Sequence, residues 1–340
     1  MSRAAAAPRR PAARSVFASE SGLAALVFLV LALLPGLVSG YVIYILPQYL
    51  LYGVLAMSLA LLWGFAGILS FGQAAFFALG AYAMGLAQQW DVGINGAYLA
   101  LPISVGIGAA LAGLVGYFLF SAGVRDVYFV LVTLALSIMT EQVTISESDI
   151  TGGYNGMYVP RMSLTFGPFG RVDLSTDAAI YYVILFAVIA VYALLRWVLS
   201  RRFGKVLIGI RENEDRALSL GFDAALFKTG AFALAGAVAG LSGALYGTHA
   251  NFVSPSIAGV LFSTQVVVWV AIGGRESLLG ALFGAVFVAA LSNYLTAITP
   301  EYWQLVLGIV FIVVIIAFRG GVAGALAHAL RSRGADPADA

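Results

Sequence analysis

Apolar stretches long enough to cross a lipid bilayer recur along the whole chain. At a rise of 1.5 Å per residue, a helix of about 20 apolar residues spans a hydrocarbon core roughly 30 Å thick, and about ten such stretches can be counted. They cover residues 23–39, 46–65, 71–88, 97–121, 126–143, 178–199, 226–247, 257–272, 278–297 and 303–318. Because lipid offers the backbone no hydrogen-bond partners, we predict an all-α, polytopic integral membrane bundle of about ten transmembrane helices.

The composition supports this class and excludes several functions. Of the 340 residues, 61% are hydrophobic and only 10% charged, whereas a soluble domain carries roughly 25% charged residues. The chain has no cysteine and only two histidines, His249 and His328, so we expect no metal site and no enzyme centre. No phosphate-binding loop is present, so we expect no cofactor, and any ATP must bind to another polypeptide. A net charge of +2 gives no reason to expect a nucleic-acid partner.

The basic residues predict the orientation of the chain. If the amino terminus is cytoplasmic and the spans alternate, every Lys and Arg except Arg161 and Arg171 lies on the inner side, as the positive-inside rule requires. We therefore predict a basic cytoplasmic arm (1–20), a transmembrane domain (21–320) and a cytoplasmic tail (321–340). A cleaved signal peptide is the less favoured interpretation of the amino terminus.

Two connecting loops are unusually long, one outside (144–177) and one inside (about 200–225). In the inner loop Asn213 is suited to cap a helix, Glu214 and Asp215 would lie in its first turn, and Gly221 would end it. We predict a short charged helix over 213–220, with Ala217, Leu218 and Leu220 as its apolar side. It is either a docking element for a soluble partner or a solvated connector.

Two apolar segments, 64–85 and 269–287, are interrupted by glycine and polar residues. Broken helices at membrane depth need protein or water to satisfy the freed backbone groups. The glycines at the predicted breaks are Gly67 and Gly72 in the first segment and Gly273 and Gly274 in the second. Paired breaks indicate an inverted-repeat transporter with its site near the midplane. Close glycine-mediated helix packing is the alternative interpretation.

Five motifs together resemble a known family, the branched-chain amino acid and urea class of ABC importer permeases. In chain order they are SLALLWGFAGILSFGQAAFFALGAY (58–82), DVYFVLVTLAL (126–136), TGGYNGM (151–157), GKVLIGIRENEDRALSLGFD (204–223) and FALAGAVAGLSGALYG (232–247). The resemblance covers about residues 50–320. It implies a permease in the bacterial inner membrane that works with a second related permease, two cytoplasmic ATPases and a periplasmic binding protein.

The resemblance also implies roles for individual residues. The inner-loop helix would be the coupling helix that enters a groove on an ATPase, which involves Arg211, Glu212, Asn213, Glu214, Asp215, Arg216 and Leu218. The segment VVWVAIGGRESLLGA (267–281), followed by PEYWQLVLGIVFI (300–312), is more similar to the urea-type permeases, except that Glu276 stands where glycine is usual. We therefore expect translocation of urea or a short amide by alternating access, with a branched-chain amino acid permease as the alternative.

Four polar residues in or near the spans are candidates for the solute path: Gln73, Glu141, Asn155 and Gln265. Their amide and carboxylate groups offer the hydrogen bonds that a small polar solute needs. A passive channel or an ion-coupled secondary transporter is the rival of another class, but such a protein has little use for a charged cytoplasmic helix. An integral membrane enzyme is disfavoured because no nucleophile and base pair can be identified.

Overall fold

The computed structural model describes residues 13–38, 40–89, 96–124, 126–165, 171–173 and 176–298, together with 301–302, 305–306, 308–309 and 311–312. This part of the chain contains twelve α-helices. They are α1 (Ala13–Leu33), α2 (Gly40–Ala60), α3 (Gln73–Gln89), α4 (Gly96–Ser121), α5 (Asp126–Ser146), α6 (Ser148–Thr151), α7 (Asp177–Ser200), α8 (Arg202–Glu212), α9 (Glu214–Ser219), α10 (Ala224–Ala250), α11 (Val260–Gly273) and α12 (Leu278–Ile298).

Six helices are long and apolar enough to cross a membrane, namely α2 with the π-helical turn that extends it to Ala66, α4, α5, α7, α10 and α12. The all-α polytopic membrane bundle is therefore confirmed. Three further predicted spans coincide with α1 and with the shorter helices α3 and α11. The tenth predicted span, 303–318, falls mostly outside the described residues, as do the tail (321–340) and residues 1–12 of the arm. A span count above six stays a prediction.

The centre of the bundle is packed through small residues, which let backbones approach closely in lipid. On α10, Gly236 lies against the carbonyl of Gly108 on α4, and Gly243 lies against the carbonyl of Phe77 on α3. The hydroxyl of Ser104 on α4 also donates to the carbonyl of Gly80 on α3, at 3.0 Å. The glycines spread through the apolar runs therefore hold three helices together.

Helix α2 contacts α7, α10, α11 and α12 and is buried in its second half. Its residues from Leu50 to Leu62 are almost all buried, which matches a stretch without any charged residue. The hydroxyl of Ser242 on α10 donates to the carbonyl of Leu51 at 2.7 Å. On the periphery, Tyr181 of α7 donates to the carbonyl of Leu31 at 2.6 Å and so connects α7 to α1.

The outer loop has more structure than the sequence predicts. After α6 and a 3-10 turn (Gly153–Asn155), strand β1 (Met157–Tyr158) pairs antiparallel with β4 (Phe252–Val253), and β2 (Ser163–Thr165) pairs with β3 (Arg171–Asp173). The pairing of β1 with β4 and an ion pair of 3.1 Å between Arg161 and Asp177 fold the loop over the carboxyl end of α10 and the amino end of α7. Strands of two or three residues are too short to show, in a sequence, the alternation of apolar and polar residues that is typical of a strand.

The inner loop contains two helices, α8 and α9, where one helix over 213–220 was predicted. Helix α9 corresponds to that prediction. Helix α8 was missed, although its residues Phe203, Leu207 and Ile210 recur at helical spacing. Its buried side, formed by Gly204, Leu207 and Ile210, explains the helix. These residues face the bundle, so tertiary packing stabilises a helix that local propensity alone does not indicate.

Candidate coupling site and solute path

The first helix break separates α2 from α3. The π-helical turn Leu61–Ala66 ends at Gly67, whose φ of 75° is a left-handed conformation that favours glycine. Helix α3 begins at Gln73, so several backbone groups between the helices lose their helical partners. Helix α5 supplies two replacements: Thr133 Oγ1 accepts from the amide of Phe71 at 3.1 Å, and Ser137 Oγ donates to the carbonyl of Phe71 at 2.8 Å.

The second break, between α11 and α12, uses a similar local arrangement. Gly274 has a φ of 105°, and Ser277 Oγ accepts from the amide of Gly280 at 3.1 Å. In the first break, Ser70 Oγ accepts in the same manner from the amide of Gly72. The four glycines singled out in the sequence, Gly67, Gly72, Gly273 and Gly274, thus all lie at or beside a break.

The two breaks lie against each other. The carbonyl of Arg275, in the second break, contacts Gly64, in the π-helical turn, so closely that a Cβ atom there would collide with it. The Arg275 guanidinium lies 5.9 Å from the centre of the Trp63 ring, a cation–π arrangement between the same two segments. Residues more than two hundred positions apart therefore form one junction.

Helices α8 and α9 form a compact pair beside this junction, which we call the inner hairpin (202–219). Asn213 caps α9 as predicted, since its Oδ1 accepts from the amide of Arg216 at 2.8 Å. Ala217 is buried in a small apolar cluster with Ile210 of α8 and Ala224 of α10. Glu214 pairs with Lys228 of α10 at 2.8 Å. The hairpin is therefore held to the bundle by an apolar contact and an ion pair.

The predicted coupling residues point in different directions. Arg211 turns toward the breaks, with 24% of its side chain exposed. Glu214 is engaged with α10, and Ala217, one of the three residues predicted on the apolar side of the helix, is buried. The exposed residues form what we call the docking face, made of Glu212, Asp215, Arg216, Leu218 and Leu220.

The four candidates for the solute path are not brought together. Gln73 is buried at the start of α3, where its Oε1 accepts from Ser58 at 3.0 Å. Asn155 is exposed in the outer loop, and Gln265 is half-buried on α11. The half-buried carboxylate of Glu141 lies against Gly259, directly before α11. Within the described part of the chain, no hydrogen bond joins any two of the four.

Sequence reasoning missed the polar side of α5. The buried face of this helix carries hydroxyl residues at helical spacing, whereas its exposed face is apolar. The buried set is Thr133, Ser137, Thr140 and Thr144. Periodicity of hydroxyl residues at every third or fourth position was the available signal.

An aromatic cluster at the centre of the bundle was also missed. Tyr52 of α2 stacks on Trp269 of α11 at 5.0 Å and on Tyr246 of α10 at 5.7 Å. Phe77 of α3 and Phe262 of α11 complete the cluster around it. The five rings come from four helices, so no spacing within one segment could reveal them.

Comparison with known proteins agrees with this architecture. Residues 41–315 match the family model described as branched-chain amino acid transport system permease component. Two relatives are named high-affinity branched-chain amino acid transport system permease protein LivM. The one from Escherichia coli is 29% identical and the one from Salmonella typhimurium 27%; each match covers 81% of this chain and 68% of the relative.

A further relative, the permease protein LivH from Escherichia coli, is 21% identical over 80% of this chain and 91% of its own length. No solved structure matches the chain. The family match over residues 41–315 includes both helix breaks, the inner hairpin and the outer loop. Because this match covers most of the chain, it shows that the chain belongs to the family of branched-chain amino acid transport system permease components.

Proposed function

We propose that this chain is one of two related permease subunits of an ATP-driven importer of branched-chain amino acids. The observation that carries the proposal is the inner hairpin, a charged element that cannot lie in lipid and that packs against both helix breaks. A hairpin placed in this way transmits movement from a soluble motor protein to membrane helices. A passive channel or an ion-coupled transporter would not need it.

The proposed partners are a second related permease, two cytoplasmic ATPases and a periplasmic binding protein, in addition to membrane lipid. The docking face would receive an ATPase. Leu218 and Leu220 are 47% and 71% exposed on a segment rich in charge, and apolar residues exposed in such a place are typical of an interaction surface. The amino and carboxyl termini would lie on the same cytoplasmic side, in a bacterial inner membrane.

For the solute, the comparisons favour the branched-chain amino acid alternative over urea. The urea expectation rests on the two segments 267–281 and 300–312, whereas the LivM and LivH relatives carry names that refer to branched-chain amino acids. Glu141 supports the amino acid interpretation as well. Its half-buried carboxylate offers a counter-charge to an ammonium group, which urea does not have.

Uptake of radiolabelled leucine and urea tests the substrate. Cells that lack the gene should lose leucine uptake, keep urea uptake, and recover leucine uptake when the gene is restored. Loss of urea uptake with normal leucine uptake would instead support the urea-type permease. Normal uptake of both solutes would refute both substrate assignments.

Charge and polarity changes on the docking face test the ATPase partner. Asp215→Lys combined with Leu218→Asp should abolish co-purification of the ATPases with the permease. Asp149→Lys is the matched control because Asp149 is also exposed but lies in the outer loop. Equal co-purification in both variants would argue against docking at this face.

Labelling tests the orientation. Since the natural chain has no cysteine, a single Asp215→Cys substitution provides one defined thiol. A membrane-impermeant thiol reagent should label it in inverted vesicles and not in intact cells. Labelling in intact cells would place the hairpin outside and refute the importer proposal.

A further inference from the structure

We propose that Arg211 is a positioning residue of the transport cycle, which ties the inner hairpin to both helix breaks so that they move together. This inference rests on the proposed function, because it requires an ATPase that moves the hairpin. The residue was expected among those that contact the ATPase. Its side chain instead reaches into the junction, where it contacts backbone and side-chain groups of both interrupted segments.

The contact with the first break is made through backbone. Arg211 Nη1 donates to the carbonyl of Gly64, in the π-helical turn that ends α2. The last carbonyls of a helix lack partners within the helix and carry partial negative charge, so a guanidinium is well suited to this place. The Arg211 Cγ atom lies only 2.8 Å from where a Cβ of Gly67 would be. Glycine at 67 therefore makes room for the arginine.

The contact with the second break is electrostatic. The same Nη1 lies 3.4 Å from Glu276 Oε1, and Nη2 lies 2.9 Å from Glu212 Oε1 on the hairpin itself. Glu276 stands just before α12, where a negative charge also suits the positive end of the helix. One guanidinium thus connects the negative end of α2, the positive end of α12 and the hairpin.

Movement of these breaks would reach the aromatic cluster. Tyr52 lies on α2, Phe77 on α3, and Phe262 and Trp269 on α11. These helices flank the two breaks and supply four of the five rings. When the hairpin moves, Arg211 carries both breaks with it, so the helices that hold the rings tilt. The rings can then separate.

The test uses the assembled transporter, with this chain, its partner permease and the ATPases reconstituted into liposomes. The readout is the amount of leucine transported per ATP hydrolysed. Arg211→Gln should leave ATPase co-purification unchanged and lower this ratio about fivefold or more, the effect expected from loss of one significant interaction. Arg211→Lys keeps the charge, so its ratio of leucine transported to ATP hydrolysed should lie between those of Arg211→Gln and the unmodified transporter.

Lys205→Gln is the matched control, because Lys205 is exposed on the same helix and its loss removes the same charge. Its ratio should equal that of the unmodified transporter. A normal leucine-to-ATP ratio in Arg211→Gln would refute the positioning role of Arg211 and leave the importer proposal intact. Failure of the unmodified chain to co-purify with ATPases would refute both the importer proposal and the positioning role.

A second variant decides the matter if Arg211→Gln does not assemble. Glu276 has 67% of its side chain exposed, so Glu276→Gln should fold normally while removing the charge at the second break. A lowered leucine-to-ATP ratio in this variant supports the positioning role of Arg211. A normal ratio refutes that role, because the contact of Arg211 with the second break would then have no effect on coupling.

Discussion

Ser137 donates a hydrogen bond of 2.8 Å to the backbone carbonyl of Phe71, at the point where the chain passes from α2 to α3. Thr133, one helical turn earlier on α5, accepts from the amide of the same residue at 3.1 Å. Two side chains of one helix thus replace the helical hydrogen bonds that the break removes. The break is stable because α5 lies beside it and satisfies these backbone groups.

The first prediction concerns this support. Thr133→Val removes the hydroxyl with little change of shape and leaves the Phe71 amide without its partner, so the free energy of unfolding should fall by about 1 to 3 kcal/mol. Unfolding in mixed detergent micelles measures it. Thr264→Val is the control, since the exposed Thr264 hydroxyl bonds only within its own helix, to the carbonyl of Val260. Equal losses in the two variants would contradict the supporting role of α5.

The second prediction concerns close helix packing. A Cβ atom on Gly243 would collide with the carbonyl of Phe77, whereas one on Gly106 would meet nothing within 4 Å. Gly243→Ala should therefore lower the free energy of unfolding by about 1 to 3 kcal/mol through overpacking. Gly106→Ala should leave it unchanged or slightly raised. Thermal unfolding of both variants in the same detergent compares them, and a stable Gly243→Ala variant would show that α3 and α10 separate easily.

The third prediction concerns attachment of the inner hairpin. The ion pair between Lys228 and Glu214 joins α10 to α9, with only 13% and 25% of the two side chains exposed. Lys228→Met should loosen α9, and amide hydrogen exchange over Glu214–Ser219 should become about fivefold faster or more. Lys205→Met, a substitution at an exposed position of α8, should leave exchange over this segment unchanged. Unchanged exchange in Lys228→Met would mean that the apolar contact of Ala217 alone holds the hairpin.

The fourth prediction concerns Glu141 as counter-charge to a transported ammonium group. Glu141→Gln keeps the shape and removes the charge, so the KM for leucine uptake should rise about fivefold or more, the effect of losing about one kcal/mol of interaction. Glu147→Gln is the control because Glu147 is exposed just beyond the end of α5. A KM that changes equally in both variants would remove Glu141 from the solute path.

Local features of the fold could be predicted from the sequence because they depend on neighbouring residues. The Asn213 cap follows from side-chain chemistry within one turn, and the breaks follow from Gly67 and Gly274 within apolar runs. Helix α8 was not predicted, although Phe203, Leu207 and Ile210 recur at helical spacing. Its two glycines lower the helix propensity, and burial of Leu207 and Ile210 in the folded chain stabilises the helix.

By itself, the sequence determined that this chain crosses the membrane repeatedly as helices and that a charged segment lies between spans. It also determined the two places at which the helical pattern is interrupted. Only the tertiary structure decided that Arg211 reaches Gly64, a residue 147 positions away, and that Tyr52 lies among rings from three other helices. The physical reason is that lipid is as apolar as the side chains that face it. Hydrophobicity therefore places helices in the membrane, and close packing and hydrogen bonds then decide which faces meet.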